Sequence, residues 1–152
     1  MFDALIYSLP VRIYFKDRDS RFLRCSRDLA IQLGFNDPSE VEGKTDFDLF
    51  TDEHAKAARE DEVRIMESGT PVECLLEKET WKDRHITWVQ TTKLPLRNTE
   101  GEIVGIFGVS TDVTARIEAE EQIKDSEAFY TSLVENLPQM IFRKDIDGRI
   151  TF

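Results

Sequence analysis

The sequence predicts a two-layer α+β domain, a five-stranded antiparallel sheet with helices on one face, followed by a long C-terminal helix. Two short β-prone segments come first, two helical segments follow them, and three long β-prone segments come next. Short turn-rich segments separate consecutive strands, as antiparallel neighbours require. The chain has 152 residues, of which 40% are hydrophobic, so it is long enough to bury the core of one ordinary domain.

The first elements are a short helix over residues 2–9, ended by Pro10, and two short strands over residues 12–15 and 21–23. The segment 17–20 between the strands reads Asp-Arg-Asp-Ser, which is typical of a turn. The two strands are therefore expected to pair as a hairpin.

Two helices are predicted next. Ser26 is a good N-cap for a helix whose apolar side chains share one face, and Gly34 supplies the positive φ that ends it. A longer helix begins at Thr51 or at the following residue, is rich in alanine, and ends at Gly69.

The last three strands are predicted over residues 72–80, 86–96 and 103–113. In the middle strand the side chains alternate, so that Ile86 and every second residue share one face and Thr87 and every second residue share the other. One of these faces belongs to the core.

Residues 115–136 are rich in Glu, Ala, Gln and Lys and contain neither Gly nor Pro, which predicts a long helix. Its apolar residues recur at intervals near six or seven, so two interpretations stay open. The helix is a short parallel coiled coil or a solvated spacer between domains. We expect a homodimer formed through this helix, because its apolar stripe would otherwise face water.

The two ends of the chain repeat each other. Residues 5–24 align with residues 133–152 without a gap and share eight identical positions in twenty. The identical pairs are Leu5 and Leu133, Leu9 and Leu137, Pro10 and Pro138, Ile13 and Ile141, Lys16 and Lys144, Asp17 and Asp145, Asp19 and Asp147, and Arg21 and Arg149. We therefore expect a piece of a longer tandem-domain protein.

Several short motifs, in this order and spacing, resemble the PAS domain, a sensory module of bacterial and archaeal signalling proteins. They begin with Leu-Pro at residue 9 and Ile-Tyr-Phe-Lys-Asp at 13–17, and continue with Gly-Lys-Thr-Asp-Phe-Asp-Leu-Phe at 43–50. Lys-Leu-Pro-Leu-Arg at 93–97 and Asp-Val-Thr at 112–114 complete them. Two positions depart from the family pattern: Ser26 stands where Asn is usual, and Arg84 stands in a turn where Gly is usual.

The resemblance implies a PAS domain over residues 1–114, a linker helix over 115–136 and the start of a second PAS domain over 137–152. It implies a regulatory part of a multidomain signalling protein, such as a histidine kinase or diguanylate cyclase, with an output domain further along the same chain. The expected function is to bind a small ligand or partner and to relay the change through the helix. The alternatives are a haem- or flavin-bearing redox or gas sensor and a purely structural dimerisation module.

In this family a ligand lies between sheet and helices, which makes aromatic and apolar residues candidates for a pocket. Phe47 and Phe50 belong to a short acidic loop between the helices and are expected to fasten it to the sheet. The candidate pocket residues are Tyr14, Phe35, Phe47, Phe50, His54, Met66, Trp88 and Thr92.

No cofactor is expected. His54, the one histidine in a helical setting, lies beside the predicted N-cap rather than in an apolar stretch, which argues against haem ligation. Neither Cys25 nor Cys74 stands in the motif that flavin adducts need, and the cysteines and histidines are too scattered for a metal site. The sequence contains no catalytic motif, so we expect no enzymatic activity in this chain.

The motif at 112–114 lies where the last strand gives way to the long helix. Asp112 and Thr114 suit an ordinary helix cap, and by resemblance they relay the signal together with Arg116. Both interpretations can hold at once.

The net charge is −10, which disfavours binding to phosphate backbones, so no nucleic-acid partner is expected. No apolar stretch approaches the roughly 20 residues needed to span a bilayer. We expect a cytoplasmic protein with no direct membrane insertion, although a longer parent protein could be tethered to a membrane.

Overall fold

The structure, a computed structural model, describes residues 4, 11–136 and 146–149. Five antiparallel strands form one sheet in the spatial order β2-β1-β5-β4-β3, which confirms the predicted fold class. The strands are β1 (Arg12–Asp17), β2 (Phe22–Cys25), β3 (Val72–Thr80), β4 (Ile86–Arg97) and β5 (Ile103–Asp112). The helices are α1 (Arg27–Gln32), α2 (Asp46–Leu49), α3 (Asp52–Ser68) and α4 (Thr114–Asn136), with a 3-10 turn at Pro38–Glu40.

The hairpin of β1 and β2 is closed by the side chain of Asp17. Its Oδ1 accepts hydrogen bonds from the backbone N–H groups of Asp19 and Arg21, both at 2.9 Å. Ser20 takes a φ of 59°, a left-handed conformation that tightens the turn. The predicted hairpin is confirmed, and its second strand begins one residue later than the pattern indicated.

Both predicted helix boundaries of the first half follow from capping. The Oγ of Ser26 accepts from the N–H of Leu29 at 3.3 Å and from the N–H of Ile13 at 3.1 Å, so this cap also ties α1 to β1. Gly69 ends α3 with a φ of 68°, and its N–H donates to the carbonyl of Ile65.

The acidic loop between these helices contains the short helix α2, which the sequence analysis missed. The N–H of Thr45 donates to Oδ2 of Asp48 at 2.8 Å, the reciprocal half of a capping box. The carboxylate raises the helical tendency of a segment only four residues long. The helix places Asp46 and Leu49 in the interior.

One close approach fixes the middle of the sheet. Tyr14 pairs with Gly108, and a Cβ atom added at Gly108 would lie 2.1 Å from Cζ of Tyr14. Only glycine lets the Tyr14 ring lie across β5. In the turn before β4, Arg84 occupies the position where the family usually has glycine and takes a φ of 73°, which costs about 1 kcal/mol for a residue with a Cβ.

The chain divides into two units, Met1–Thr114 and Ala115–Phe152. The core of the first unit joins the inner side of the sheet to the helices, with Ala30, Val41, Ile65 and Ile106 almost completely buried. In the second unit, α4 exposes most of its apolar side chains, and the self-association expected of this helix stays a prediction. The predicted first helix over 2–9 and most of the second repeat over 137–152 lie outside the described residues.

Candidate functional site

A cavity of about 50 Å³ lies between the sheet and the helices of the first unit. That space accommodates a few water molecules or a ligand of few atoms. All five strands of the sheet contribute residues to one wall, and α1, α2 and α3 supply the other. The lining residues are Arg12, Tyr14, Lys16, Phe22, Leu29, Gln32, Leu33, Asp46, Phe50, His54, Ala58, Glu62, Glu77, Glu79, Trp81, Val89, Thr91, Lys93 and Ser110.

The two-residue period of the strands brings polar side chains to the cavity. Glu77 and Glu79 on β3 and Val89, Thr91 and Lys93 on β4 all line it. These residues belong to alternating positions of neighbouring strands, and Glu79 pairs directly with Thr87. The inner face of these strands is therefore the more polar one, which is unusual for a core and typical of a binding site.

Aromatic side chains form one end of the cavity. The rings of Phe50 and Trp81 lie 4.7 Å apart, and those of Phe50 and His54 lie 4.8 Å apart. Phe50 and Trp81 also form an isolated backbone bridge, which holds the end of α2 against the turn after β3. The other end of the aromatic wall is Tyr14, packed edge-on against Phe22.

A buried ionic cluster closes the cavity beside Tyr14. Nζ of Lys16 donates to Oδ2 of Asp46 and to Oε1 of Glu62, each at 2.7 Å. Ser20 donates to the second oxygen of Glu62, and Arg59 donates to the Ser20 hydroxyl at 2.7 Å. The cluster thus connects β1 with α2 and α3 and leaves the central Lys16 side chain only 3% exposed.

Lys16 keeps its charge in this setting. Burial by itself lowers the pKa of Lys16, but the charges and hydrogen bonds of Asp46 and Glu62 outweigh burial, and the pKa is raised. The ammonium of Lys16 faces the two carboxylates of Asp46 and Glu62, so these three side chains together carry a formal charge of about −1.

A second group of polar side chains lies on β3 and β4. Nζ of Lys93 pairs with Oε1 of Glu77 at 2.8 Å. Further along, Trp81 Nε1 donates to the Thr87 hydroxyl at 2.9 Å, and that hydroxyl donates to Oε2 of Glu79 at 2.7 Å. Burial, followed by the negative charge of Glu77, raises the pKa of Glu79 to about 7.

His54 is held as a neutral ring. Its Nδ1 lies 3.2 Å from the carbonyl oxygen of Lys78, which ties α3 to β3. Burial lowers the pKa of His54, since the charged imidazolium would lose hydration. The ring forms part of the aromatic wall.

Arg12 connects the cavity with the start of α4. Its Nε donates to Asp28 at 3.2 Å, and its Nη1 lies 3.3 Å from Oδ2 of Asp112. Nη1 is buried and has only this ion pair, whereas the amide oxygen of Gln32, another lining residue, is buried without a hydrogen-bond partner among the described residues. Such atoms are rare in folded proteins and indicate space for a polar ligand or water.

Asp112 and Thr114 form the cap of α4. The second oxygen of Asp112, Oδ1, accepts from the N–H of Thr114 at 2.9 Å, and the Thr114 hydroxyl accepts from the N–H of Trp88 at 2.8 Å. Burial by itself raises the pKa of Asp112. The hydrogen bonds from Thr114 and the contact with Arg12 outweigh burial and hold this pKa below its usual value. These direct contacts support the interpretation of Asp112 and Thr114 as a cap of α4. Arg116 is exposed and lies 3.8 Å from Glu120.

The predicted pocket residues fall into three places. Tyr14, Phe50 and His54 line the cavity. Phe35 and Met66 belong to the core around it, and Phe47 is 40% exposed at the surface.

Trp88 and Thr92 need a correction. They alternate with Val89, Thr91 and Lys93, so their side chains project from the opposite face of the sheet. Thr92 instead accepts a hydrogen bond from the N–H of Cys74, where β3 carries a bulge. The alternation of β4 left open which face is the inner one, and these two candidates lie on the outer face.

Sequence reasoning also missed Lys16, Glu62 and Glu79. A charged residue at an inward position of a strand or helix is the signal that could have found them. Lys16 alternates with Tyr14, and Glu62 follows Ala55 and Ala58 on the buried face of α3.

Within the described ranges, no group of His, Cys, Asp or Glu side chains is arranged to hold a metal ion. In the same part of the chain no helix has the length and apolar character that crossing a bilayer demands.

Comparison with known proteins matches the sequence model of the PAS-fold family to residues 7–118. A diguanylate cyclase of Vibrio cholerae is 27% identical over 123 residues, which cover 80% of this chain and 38% of that protein. The solved structure of VqmA bound to DPO is 25% identical, with a TM-score of 0.64, and the match covers 72% of this chain and 55% of VqmA. A Vibrio cholerae VqmA-ligand-DNA complex is 26% identical, with a TM-score of 0.65 and coverage of 73% and 50%.

The expectation that this protein has no nucleic-acid partner is wrong, because these comparisons contradict it. VqmA, which this chain resembles, has been solved in complex with DNA. The chain spans about half the length of VqmA and 38% of the diguanylate cyclase. The net charge of −10 therefore does not exclude a nucleic-acid partner.

Proposed function

The chain belongs to the PAS-fold family, and on that premise we propose that it is a sensory domain that binds a small ligand in the cavity between sheet and helices. The observation that carries this proposal is the cavity itself, whose wall holds the buried amide oxygen of Gln32 without a hydrogen-bond donor among the described residues. The structures of VqmA with DPO and with a ligand support a small molecule. A volume of about 50 Å³ favours a ligand of few atoms over haem or flavin.

We further propose that ligand binding changes the N-terminal cap of α4 through the side chain of Arg12. This side chain lines the cavity and contacts Asp112, whose other oxygen caps the first residue of the helix. A ligand that changes the position of Arg12 in the cavity would change its contact with Asp112 and thereby the cap. A cap stabilises a helix by about 1 kcal/mol, which is enough to shift a two-state equilibrium several-fold.

The proposed output lies in another part of the whole protein. The relatives supply two candidates, diguanylate cyclase activity and DNA binding. Both are regulatory outputs that a cytoplasmic sensory domain can control, and assay of the whole protein for each distinguishes them.

Filling the cavity tests the ligand site. Ala58 is buried on α3 and lines the cavity, so Ala58→Val should occupy part of the space with two methyl groups. A set of small polar compounds is screened by thermal unfolding of the wild-type chain. A compound at a hundredfold excess over its Kd stabilises the folded state by about 2.7 kcal/mol, and Ala58→Val should lose most of that gain.

The matched control is Ala57→Val on the exposed side of the same helix, which carries the same helix-propensity cost. This variant should keep the stabilisation seen in the wild type. Compounds that stabilise Ala58→Val as much as the wild type would place the ligand elsewhere and contradict the proposed site.

The relay is tested by Asp112→Ala in the whole protein. Loss of the cap should cost about 0.5–2 kcal/mol, too little to unfold a domain of ordinary stability. The protein should stay folded, as circular dichroism and denaturant unfolding will report, while its output becomes locked and no longer responds to the stimulus.

Thr111→Ala, a neighbouring exposed position on β5, is the control and should leave the response intact. A normal response in Asp112→Ala would reduce the motif to an ordinary cap, and failure of this variant to fold would make Asp112 a structural residue.

A further inference from the structure

Four carboxylates and three cationic side chains line the cavity. Among its charged residues, Lys16 is engaged by Asp46 and Glu62, and Lys93 is engaged by Glu77. The guanidinium of Arg12 lies between Asp28 and Asp112. Within residues 11–136, the carboxylate of Glu79 is therefore the lining charge that has no ion-pair partner.

Glu79 also has unused hydrogen-bonding capacity. Its Oε2 accepts from the Thr87 hydroxyl, whose single proton is thereby committed. The Trp81 indole N–H, which could otherwise serve Glu79, donates to the same hydroxyl oxygen. Oε1 of Glu79 has no donor among the described residues, and a carboxylate oxygen can accept two hydrogen bonds.

A second acceptor in the cavity wall also lacks a donor in the part of the chain that the structure describes. The amide oxygen of Gln32 is buried on the helix side of the cavity and lacks a donor among the described residues. The converse case, Nη1 of Arg12, lies 3.3 Å from a carboxylate that already balances its charge. A ligand that fits this wall must bring N–H groups rather than further oxygens.

From these contacts we propose that the ligand is a small nitrogen compound, cationic and rich in N–H donors, bound through Oε1 of Glu79. This inference rests on the proposed function, because it names the chemical class that the cavity selects. A small carboxylate would place one more negative charge beside Glu77 and Glu79 and would lose its hydration without a free cation to receive it. An amidinium or ammonium group would form an ion pair with Glu79 and donate a charge-assisted hydrogen bond to its Oε1.

The elevated pKa of Glu79 supports the same conclusion. Burial is the largest cause of the raised pKa. The negative charges of Glu77 on β3 and Asp112 on β5 raise the pKa further. The Thr87 hydroxyl on β4 and Arg12 on β1 lower it by less than burial raises it. A buried carboxylate is stabilised more by a neighbouring cation than an exposed carboxylate is, because the surrounding dielectric constant is lower.

Three probes of the same size and planar shape separate the ligand classes: acetamidinium, acetamide and acetate. From acetamidinium to acetate, N–H donors are replaced by oxygen acceptors and the net charge goes from +1 through zero to −1. Each is titrated into the isotope-labelled chain at about pH 8, where Glu79 is ionised, and the Kd is taken from the shifts of backbone amide resonances of β3 and β4. Acetamidinium should bind at least about tenfold more tightly than acetate, with acetamide between them.

Glu79→Gln tests the assigned residue, and Glu73→Gln is the matched control, an exposed glutamate of the same strand. The preference for acetamidinium over acetate should fall by about tenfold in Glu79→Gln and persist in Glu73→Gln.

The outcomes are distinguishable. Binding of acetate as tight as that of acetamidinium, or an unchanged preference in Glu79→Gln, would overturn the ligand class and leave the small-ligand site standing. Absence of binding by all three probes, together with failure of the small-compound screen, would overturn the proposed function and this inference with it.

Discussion

Lys16→Met should lower the free energy of unfolding by about 3–5 kcal/mol. Methionine keeps the length of the apolar stem but removes the ammonium that Asp46 and Glu62 share. Two buried carboxylates are then left beside each other without a counter-charge, which costs far more than the ion pairs contribute when intact. Urea unfolding near neutral pH measures the loss.

Two controls separate this cause from a general packing defect. Lys56→Met on the exposed side of α3 should change the free energy of unfolding by less than about 0.5 kcal/mol. The triple variant Lys16→Met, Asp46→Asn, Glu62→Gln should recover at least half of the loss, because it removes the unpaired charges. A Lys16→Met chain as stable as the wild type would show that the ionic cluster contributes nothing to stability.

The second large effect is a dependence of stability on pH that originates at Glu79. Its pKa in the folded chain is about 7, raised from 4.5, so the folded state binds the proton more tightly than the unfolded state does. The stabilisation is fully present below about pH 4.5 and is lost as the pH rises through 7. A difference of this size corresponds to at most roughly 3 kcal/mol.

Glu79→Gln keeps an acceptor for the Thr87 hydroxyl and has no proton to lose. Its free energy of unfolding should therefore exceed that of the wild type by up to about 3 kcal/mol near pH 8, and the two should converge near pH 4. Taking the difference between the two chains cancels other titrating groups, such as His54. Urea unfolding at several pH values measures it, with Glu73→Gln expected to follow the wild type. Parallel pH profiles of wild type and Glu79→Gln would show that Glu79 is not the titrating group.

The strands and the longer helices were predictable because their signals are local. Ser26 and Gly69 mark helix ends through their own capping chemistry, and the β-prone segments need only their turns. Helix α2 was not predictable in this way. It has four residues, and its cap depends on a reciprocal bond between Thr45 and Asp48 within a segment that reads as an acidic loop.

The candidate site was harder to predict for a physical reason. Alternation in β4 separates two faces but does not say which one is inside, and the predicted pocket residues Trp88 and Thr92 lie on the outer face. The structure turns Thr91 and Lys93 inward, because the charge of Lys93 is neutralised by Glu77 on the neighbouring strand. A partner that lies sixteen residues away in sequence cannot be read from a local pattern. Hydrophobic patterning thus fails at the place where polar groups are buried for binding.

The most direct test of the ligand site uses the two tryptophans, which lie on opposite faces of the sheet. Trp81 lines the cavity and is joined through Thr87 to Glu79, whereas Trp88 projects from the other face. The indole N–H resonances are followed during titration with whichever of acetamidinium, acetamide and acetate binds. The account predicts a saturating shift of the Trp81 resonance and little change at Trp88. A saturating shift at Trp88 with Trp81 unmoved would contradict it, because the ligand would then occupy the outer face and not the cavity.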